Sequence, residues 1–420
     1  MKKCFVLLAV LALACLCASA MAEQTWLSTM LLPATEDLPL AEDITQQVLL
    51  NGEMNKGHLN KLRDGNYRSI WESYQYGRVH ELFITPPEGK AIGGMVLKWR
   101  SIELPRTLIQ VENAQGEWET IARGDNDFVA QYVPIPATEQ RIRLTCEDPS
   151  VRLQLCEIIV LTPGRLPEDF QLWQKPPEKV DLLQIVAHPD DEVLWFGGLL
   201  PTYAGDQGKD VLVACSSFRN YHRRLELLDG LWTAGVKYHP IFVGLADLMD
   251  TPMLEVINAW GRQRAQNKIV ELYRQYKPDV VALQDTDGEY GHGVHRALTN
   301  VSMHAVEQAA DPNHNPEEVA QYGVWNVPKV YIHLWPENQI KMDWHQPLAA
   351  FGGKTGLEMA VESFKCHVTQ QNRWSVEDGG EYDNSLFGLW HTTVGPDVIG
   401  GDMFENIDKL YAQNNEEEQE

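Results

Sequence analysis

The chain has 420 residues, 44% of them hydrophobic, and a formal net charge of -24. That length exceeds one ordinary domain and predicts two, each able to bury a core. The acidic excess argues against nucleic acid and anionic membrane surfaces as partners.

In chain order, Lys2 and Lys3 precede the apolar run Phe5 to Cys17, and small-x-small sites follow at 18–20 and 20–22. This pattern predicts a signal peptide over 1–22 and a secreted or periplasmic protein. The run is short for a bilayer span, so a retained anchor is the weaker alternative, and no later transmembrane candidate follows. Beyond the leader stand Cys146, Cys156, Cys215 and Cys366. Cys146 and Cys156 flank a turn at Asp148-Pro149-Ser150, which leaves two readings open: a disulfide or two buried thiols.

Residues 23–165 read as β, with short runs at Val79–Phe83, Met95–Trp99, Leu108–Glu112, Arg141–Cys146 and Leu153–Leu161. Many short strands of this kind predict a β-sandwich. Residues 166–179 are rich in proline and predict a linker. From 180 to 410 the pattern changes to α/β with a mainly parallel sheet. Apolar strand-like runs at 182–187, 211–215, 240–244, 279–284 and 328–334 alternate with helical stretches at 192–204, 219–234, 254–276 and 294–310. Asp311–Val327 reads as a long loop, and 411–420 as an acidic tail.

The chemistry concentrates at two strand ends. His188-Pro189-Asp190-Asp191-Glu192 follows the first run, and His292 and His295 follow the fourth. Ligands of open α/β sheets bind outside the carboxyl ends of strands. Two carboxylates and an imidazole crowded there repel one another unless a cation is present. Asp190 and Asp191 are adjacent, so their side chains diverge: one can hold a metal while the other faces water. His292 and His295, three apart at a helix start, share one side of its first turn. Singly, each group has a blander reading, as a core histidine, a helix-start acid or a surface H-x-x-H. Together they favour a metal. His188, Asp191 and His295 make the ligand class of catalytic zinc, with other divalent ions accommodated by the same atoms. Asp190 is then the general base, and His292, if protonated, the oxyanion partner, with Tyr290 in reach of the same oxygen. His333 and His367 read as core residues, while His345 and His391 are cleft candidates with no local support.

The sequence from Val180 to Ile407 resembles the PIG-L/LmbE-type zinc deacetylases. The resemblance rests on Ala187-His188-Pro189-Asp190-Asp191-Glu192, on His292-Gly293-Val294-His295 after Gly288-Glu289-Tyr290-Gly291, and on Arg223-Arg224-Leu225-Glu226 with Ala234-Gly235-Val236. It implies a Rossmann-like fold and removal of N-acetyl groups from N-acetylglucosamine-type sugars. It also implies His188, Asp191 and His295 as metal ligands and Asp190 as base. Arg223 either faces substrate or pairs with Glu226 on the helix surface. One departure stands out: Gly293-Val294 replaces the Pro-Asp of many members.

The N-terminal half resembles the discoidin-like (factor V/VIII type C) galactose-binding sandwich. The matching residues include Leu62-Arg63-Asp64-Gly65-Asn66, Ser69-Ile70-Trp71, Gly116-Glu117-Trp118 and Glu157-Ile158-Ile159-Val160. It implies glycan binding and a structural Ca2+, with Asp64 the first residue to hold that ion, unless Asp64-Gly65 is only a turn. The expectation is an exported zinc-dependent N-deacetylase acting on an N-acetylated amino sugar or glycan. The rivals are a zinc amidase for a non-carbohydrate N-acyl compound and a glycan-binding protein with a vestigial site.

Overall fold

The computed structural model describes residues 38–52, 56–73, 80–101 and 103–411. The expected signal peptide (1–22) and the acidic tail beyond Tyr411 lie outside the described residues. Tyr411 itself is tied down, its hydroxyl donating to Asp279 Oδ2 at 2.7 Å.

The N-terminal half is built of antiparallel strands: β1 (Leu49–Asn51), β2 (Trp71–Glu72), β3 (Glu81–Thr85), β4 (Ile92–Trp99), β5 (Thr107–Glu112), β6 (Trp118–Gly124), β7 (Ala130–Thr138), β8 (Ile142–Cys146) and β9 (Gln154–Leu161). One sheet runs β1-β3-β8-β5-β6 and the other β2-β9-β4-β7. On β3 buried and half-buried residues alternate, the period-two pattern of a strand with one face inward. Leu82, Ile84, Ile109 and Leu144 of the first sheet share a core with Met95, Leu97, Ile158 and Val160 of the second. Each such buried aliphatic contributes about 1.5–3 kcal/mol. Cys146 and Cys156 are buried free thiols, which decides between the two readings of that pair.

The C-terminal half holds β10 (Leu182–Val186), β11 (Val211–Ser217), β12 (Ile241–Leu245), β13 (Val280–Leu283), β14 (Lys329–His333), β15 (Gln339–Lys341) and β16 (Leu386–Thr392). Their order is β12-β11-β10-β13-β14-β16-β15. The first five are parallel, and β15 and β16 add an antiparallel edge, so the sheet is mixed. β10, β11, β13 and β14 are buried throughout and do not alternate, because helices cover both faces. Leu182 and Val186 face one core, Leu183 and Ile185 the other.

The helices are α1 (Asp191–Leu194), α2 (His222–Thr233), α3 (Met253–Trp260), α4 (Arg262–Tyr276), α5 (Gly293–Ala310), α6 (Pro316–Tyr322) and α7 (Gly356–Lys365). Three differ from the sequence expectation. The helix expected over 192–204 stops after one turn and turns at Gly197 (φ 50°) before resuming. The single helix expected over 254–276 is two, hinged at Gly261 (φ 74°). The expected loop 311–327 contains α6, begun by Pro316 at its first position.

The two halves share buried structure. Val129, Ala130 and Cys156 lie in one core with Trp173, Leu225 and Leu228. Arg224 donates to the backbone oxygens of Arg100 (2.8 Å) and Ser101 (2.7 Å), and the Val129 N–H donates to His239 Nε2 (3.1 Å). The proline-rich stretch 166–179 is not free chain: Trp173 is buried and the Gln174 N–H donates to Lys237 O at 3.1 Å.

Candidate metal centre

In the parallel sheet the chain runs outward from β10 through β11 to β12, then returns to place β13 on the other side of β10. A crevice opens at such a reversal, outside the strands' carboxyl ends. The groups at the centre of the site come from that edge. The end of β10 supplies His188 to Glu192, β12 supplies Asp247, and β13 supplies Gln284, Glu289, His292 and His295.

Three donor atoms meet at the centre. His188 Nδ1 lies 3.2 Å from His295 Nε2 and 3.2 Å from Asp191 Oδ2, and His295 Nε2 lies 3.4 Å from the same oxygen. A tetrahedral zinc with bonds of about 2.0–2.1 Å separates neighbouring ligand atoms by about 3.3 Å. The triangle thus has the dimensions of one face of that tetrahedron. Hydrogen bonding fixes which ring atoms face inward. His295 Nδ1 donates to Glu289 Oε2 at 2.7 Å, and His188 Nε2 faces Asp247 Oδ1 at 3.4 Å. With those outer nitrogens protonated, two lone pairs and a carboxylate oxygen confront one another inside, an arrangement that a divalent cation satisfies. His292 stands beside them: among the described residues, ligand atoms of His188, His292 and His295 all fall within 4.8 Å of one another.

The adjacent aspartates diverge. Burial would raise the Asp191 carboxyl, but His295 and His188 outweigh it and hold it well below the usual range. Trp195 Nε1 donates to its other oxygen at 2.9 Å. Asp190 turns instead to Arg223, 2.9 Å away, and burial, opposed by that guanidinium, pushes its carboxyl up to about 7. Its backbone sits at φ 116°, a region costing about 1–3 kcal/mol outside glycine. The Asp190 N–H is held there by Glu192 Oε2 at 2.8 Å. Glu192 in turn receives His367 Nε2 at 2.6 Å. Burial, reinforced by His295 and His188, lowers His292 to about 4. At neutral pH its ring is therefore neutral, not the imidazolium considered from sequence, and among the described residues its buried Nδ1 has no hydrogen-bond partner.

Several residues fall elsewhere than expected. Arg223 pairs with Asp190, not with Glu226, which accepts from Thr369 at 2.7 Å. His333 and His367 are buried but are not inert core: His333 Nδ1 bonds Glu289 Oε1 at 2.8 Å. His345 pairs with Asp378 at 2.6 Å and is not part of the cleft lining. The Asp64 oxygens accept from the Asn66 N–H (2.9 Å) and Ser69 Oγ (2.7 Å), so the Asp64-Gly65 stretch is a hydrogen-bonded turn. Tyr290 is 41% exposed and stacks on Trp374 with ring centroids 4.8 Å apart.

Sequence reading missed Glu289 and Asp247 as site residues. Asp247 could have been found, since it is an acid just beyond an apolar strand, the rule that located His188. Glu289 was masked by the glycines around it. The Gly-Val departure has a steric cause. A Cβ at residue 293 would lie 1.9 Å from Thr251 O, so only glycine lets the segment after Asp247 rest against the start of α5.

Residues 183–306 match the family model described as PIG-L: GlcNAc-PI de-N-acetylase. Over 210 residues the chain is 30% identical to 1D-myo-inositol 2-acetamido-2-deoxy-alpha-D-glucopyranoside deacetylase 1 of Catenulispora acidiphila, a match taking in 43% of this chain and 64% of that protein. The corresponding deacetylase 2 of Saccharopolyspora erythraea is 30% identical over 182 residues, 37% of this chain and 65% of that one. The chain therefore spans just under two thirds of these curated relatives. Among solved structures, the N,N'-diacetylchitobiose deacetylase of Pyrococcus horikoshii matches 47% of this chain and 74% of that one at 19% identity, with a TM-score of 0.35. CpGH89CBM32-6 from Clostridium perfringens matches 29% of this chain and all 100% of its own at 16% identity, with a TM-score of 0.26. Among the described residues no helix is long and apolar enough to cross a membrane.

Proposed function

We propose that this protein is an exported, zinc-dependent N-deacetylase acting on an N-acetylated amino sugar within a glycan or glycoconjugate. The C-terminal half is then a Rossmann-like deacetylase domain and the N-terminal half a discoidin-like, glycan-binding sandwich. The observation that carries the reading is the triangle of His188 Nδ1, Asp191 Oδ2 and His295 Nε2, with edges of 3.2, 3.2 and 3.4 Å. The similarity of residues 183–306 to a de-N-acetylase family supports the reaction class.

His188, Asp191 and His295 hold the ion. Bound there, zinc supplies Lewis acidity and brings the pKa of water to about 7. Asp190, poised near neutrality, takes a proton from the water that adds to the acetyl carbonyl, and returns it to the nitrogen as the C–N bond breaks. Acetate and a free amine result. Arg223 orients the Asp190 carboxylate and stabilises its ionised form against the cost of burial. His292, neutral and unpartnered at Nδ1, donates an N–H to the developing oxyanion. Tyr290 and Trp374 present an aromatic wall against which a sugar ring can stack.

The test is metal analysis of the purified chain together with acetate release from N-acetylglucosamine oligosaccharides. Stoichiometric zinc and acetate support the reading. Zinc with no acetate from any sugar points to an amidase of other N-acyl compounds, and neither metal nor turnover to a binding protein.

A further inference from the structure

The cleft that contains His188 and His292 has a volume of about 500 Å³, and Arg68, Arg219 and Arg373 stand in its walls. All three are exposed. Among the described residues none of their guanidinium groups is in an ion pair, while the cleft's carboxylates Asp190, Asp191 and Asp247 are turned to Arg223 or to imidazoles. Three unpaired cations around one cleft stand out in a chain of net charge -24. Cations gathered in a cleft focus their field into it, and guanidinium forks match planar or tetrahedral oxyanions.

Arg68 belongs to the N-terminal half, and its loop is held on both sides. Asp64 accepts from Asn66 and Ser69, and Glu157 Oε1 accepts from the Gly65 N–H at 2.6 Å. Tyr67, next to Arg68, donates its hydroxyl to Asp229 of α2 at 2.7 Å. The turn at Asp64-Gly65 thus has a use: it aims the residue after Tyr67 across the junction of the two halves. The field of Arg68 reaches the deacetylase side, where burial, then Arg68 and Arg223, lower the pKa of His222.

We propose that Arg68, Arg219 and Arg373 receive an anionic group of the substrate, a carboxylate or a sulfate ester, so that the preferred substrate is an acidic N-acetylated glycan and the N-terminal half completes its binding site. This rests on the cleft being the substrate site, as proposed above.

The full chain is titrated calorimetrically, at low and high salt, with three oligosaccharides of equal length: neutral N-acetylglucosamine, N-acetylglucosamine alternating with a uronic acid, and 6-O-sulfated N-acetylglucosamine. Acetate release is measured on the same set. At least one acidic oligosaccharide binds about tenfold more tightly than the neutral one, and the gap narrows as salt screens it. The uronate and sulfate arms tell which oxyanion is read. Arg68→Ala and Arg219→Ala each reduce the acidic-to-neutral ratio about three- to tenfold, mainly through KM, and Arg68→Lys restores part of it. Arg123→Ala, which removes an exposed cation paired with Glu147, leaves the ratio unchanged. Equal binding of all three oligosaccharides, or a ratio indifferent to Arg68 and Arg219, overturns the proposal and leaves the deacetylase reading intact. Preferential, arginine-dependent binding without acetate release upholds it while the deacetylase reading falls.

Discussion

Replacing Glu289 by Gln should loosen the metal without touching a ligand. Glu289 is fully buried, and although burial would raise its carboxyl, His295 and His333 hold it down at about 2. The carboxylate is thus charged at every working pH. Its two oxygens serve two rings, Oε2 at 2.7 Å from His295 Nδ1 and Oε1 at 2.8 Å from His333 Nδ1. Gln has the same shape but offers one acceptor and one NH2. If the NH2 faces His295, that ring must accept at Nδ1, and its proton moves to Nε2, the atom that points into the triangle. If it faces His333, the clash moves there, and His295 still loses its anionic partner. Loss of such a supporting carboxylate costs about 10–100-fold in metal affinity, or roughly 1.4–2.7 kcal/mol. The assay is competition for zinc against a chelating dye, with far-ultraviolet circular dichroism to verify folding. Glu289→Asp keeps the charge and should fall between Gln and the parent. A folded Glu289→Gln protein that holds zinc within twofold of the parent refutes the tautomer argument, and with it the assignment of His295 Nε2 as a ligand atom.

Other expectations follow from the same geometry. Asp190→Asn should retain zinc and lose at least ~100-fold in acetate release, since its carboxylate pairs with Arg223 and is not one of the three ligand atoms; full activity would remove it as the base. Gly293→Ala drives a Cβ into Thr251 O and should destabilise the chain by about 1–3 kcal/mol, read as a lowered thermal midpoint and weaker support of His188 by Asp247. An unchanged midpoint would mean that the 247–252 segment yields freely. His239 governs acid stability at the junction of the halves: burial lowers its pKa from 6.5 to about 3. The unfolded chain therefore binds a proton that the folded chain refuses between those values, so stability is full above pH 6.5 and declines by about 1.4 kcal/mol per unit as pH falls toward 3. His239→Gln keeps an acceptor for the Val129 N–H and should flatten that slope by one proton in pH-dependent denaturant unfolding; an unaltered slope would place the titration elsewhere.

The local sequence determined the strand ends and the donors they carry. The apolar run into His188-Pro189-Asp190-Asp191-Glu192 could only be a buried strand delivering polar groups to its carboxyl edge, and the break between a period-two half and an α/β half follows from side-chain alternation. What the linear pattern does not encode is direction and partnership across the sheet. Nothing near Arg223 says whether it turns to Glu226 or to Asp190, and nothing near His333 or His367 distinguishes a core histidine from one bonded to Glu289 or Glu192. The strand order brings β10, β12, β13 and β14 to one crevice, and with it Asp247 and Glu289. Gly293 illustrates the same limit: it reads as a departure in the motif, yet its cause is a carbonyl oxygen forty-two residues upstream that meets it only in the folded chain. Periodicity is a property of neighbours along the chain, whereas a tautomer, a depressed pKa or a close approach is set by atoms that only tertiary packing brings within a few ångströms.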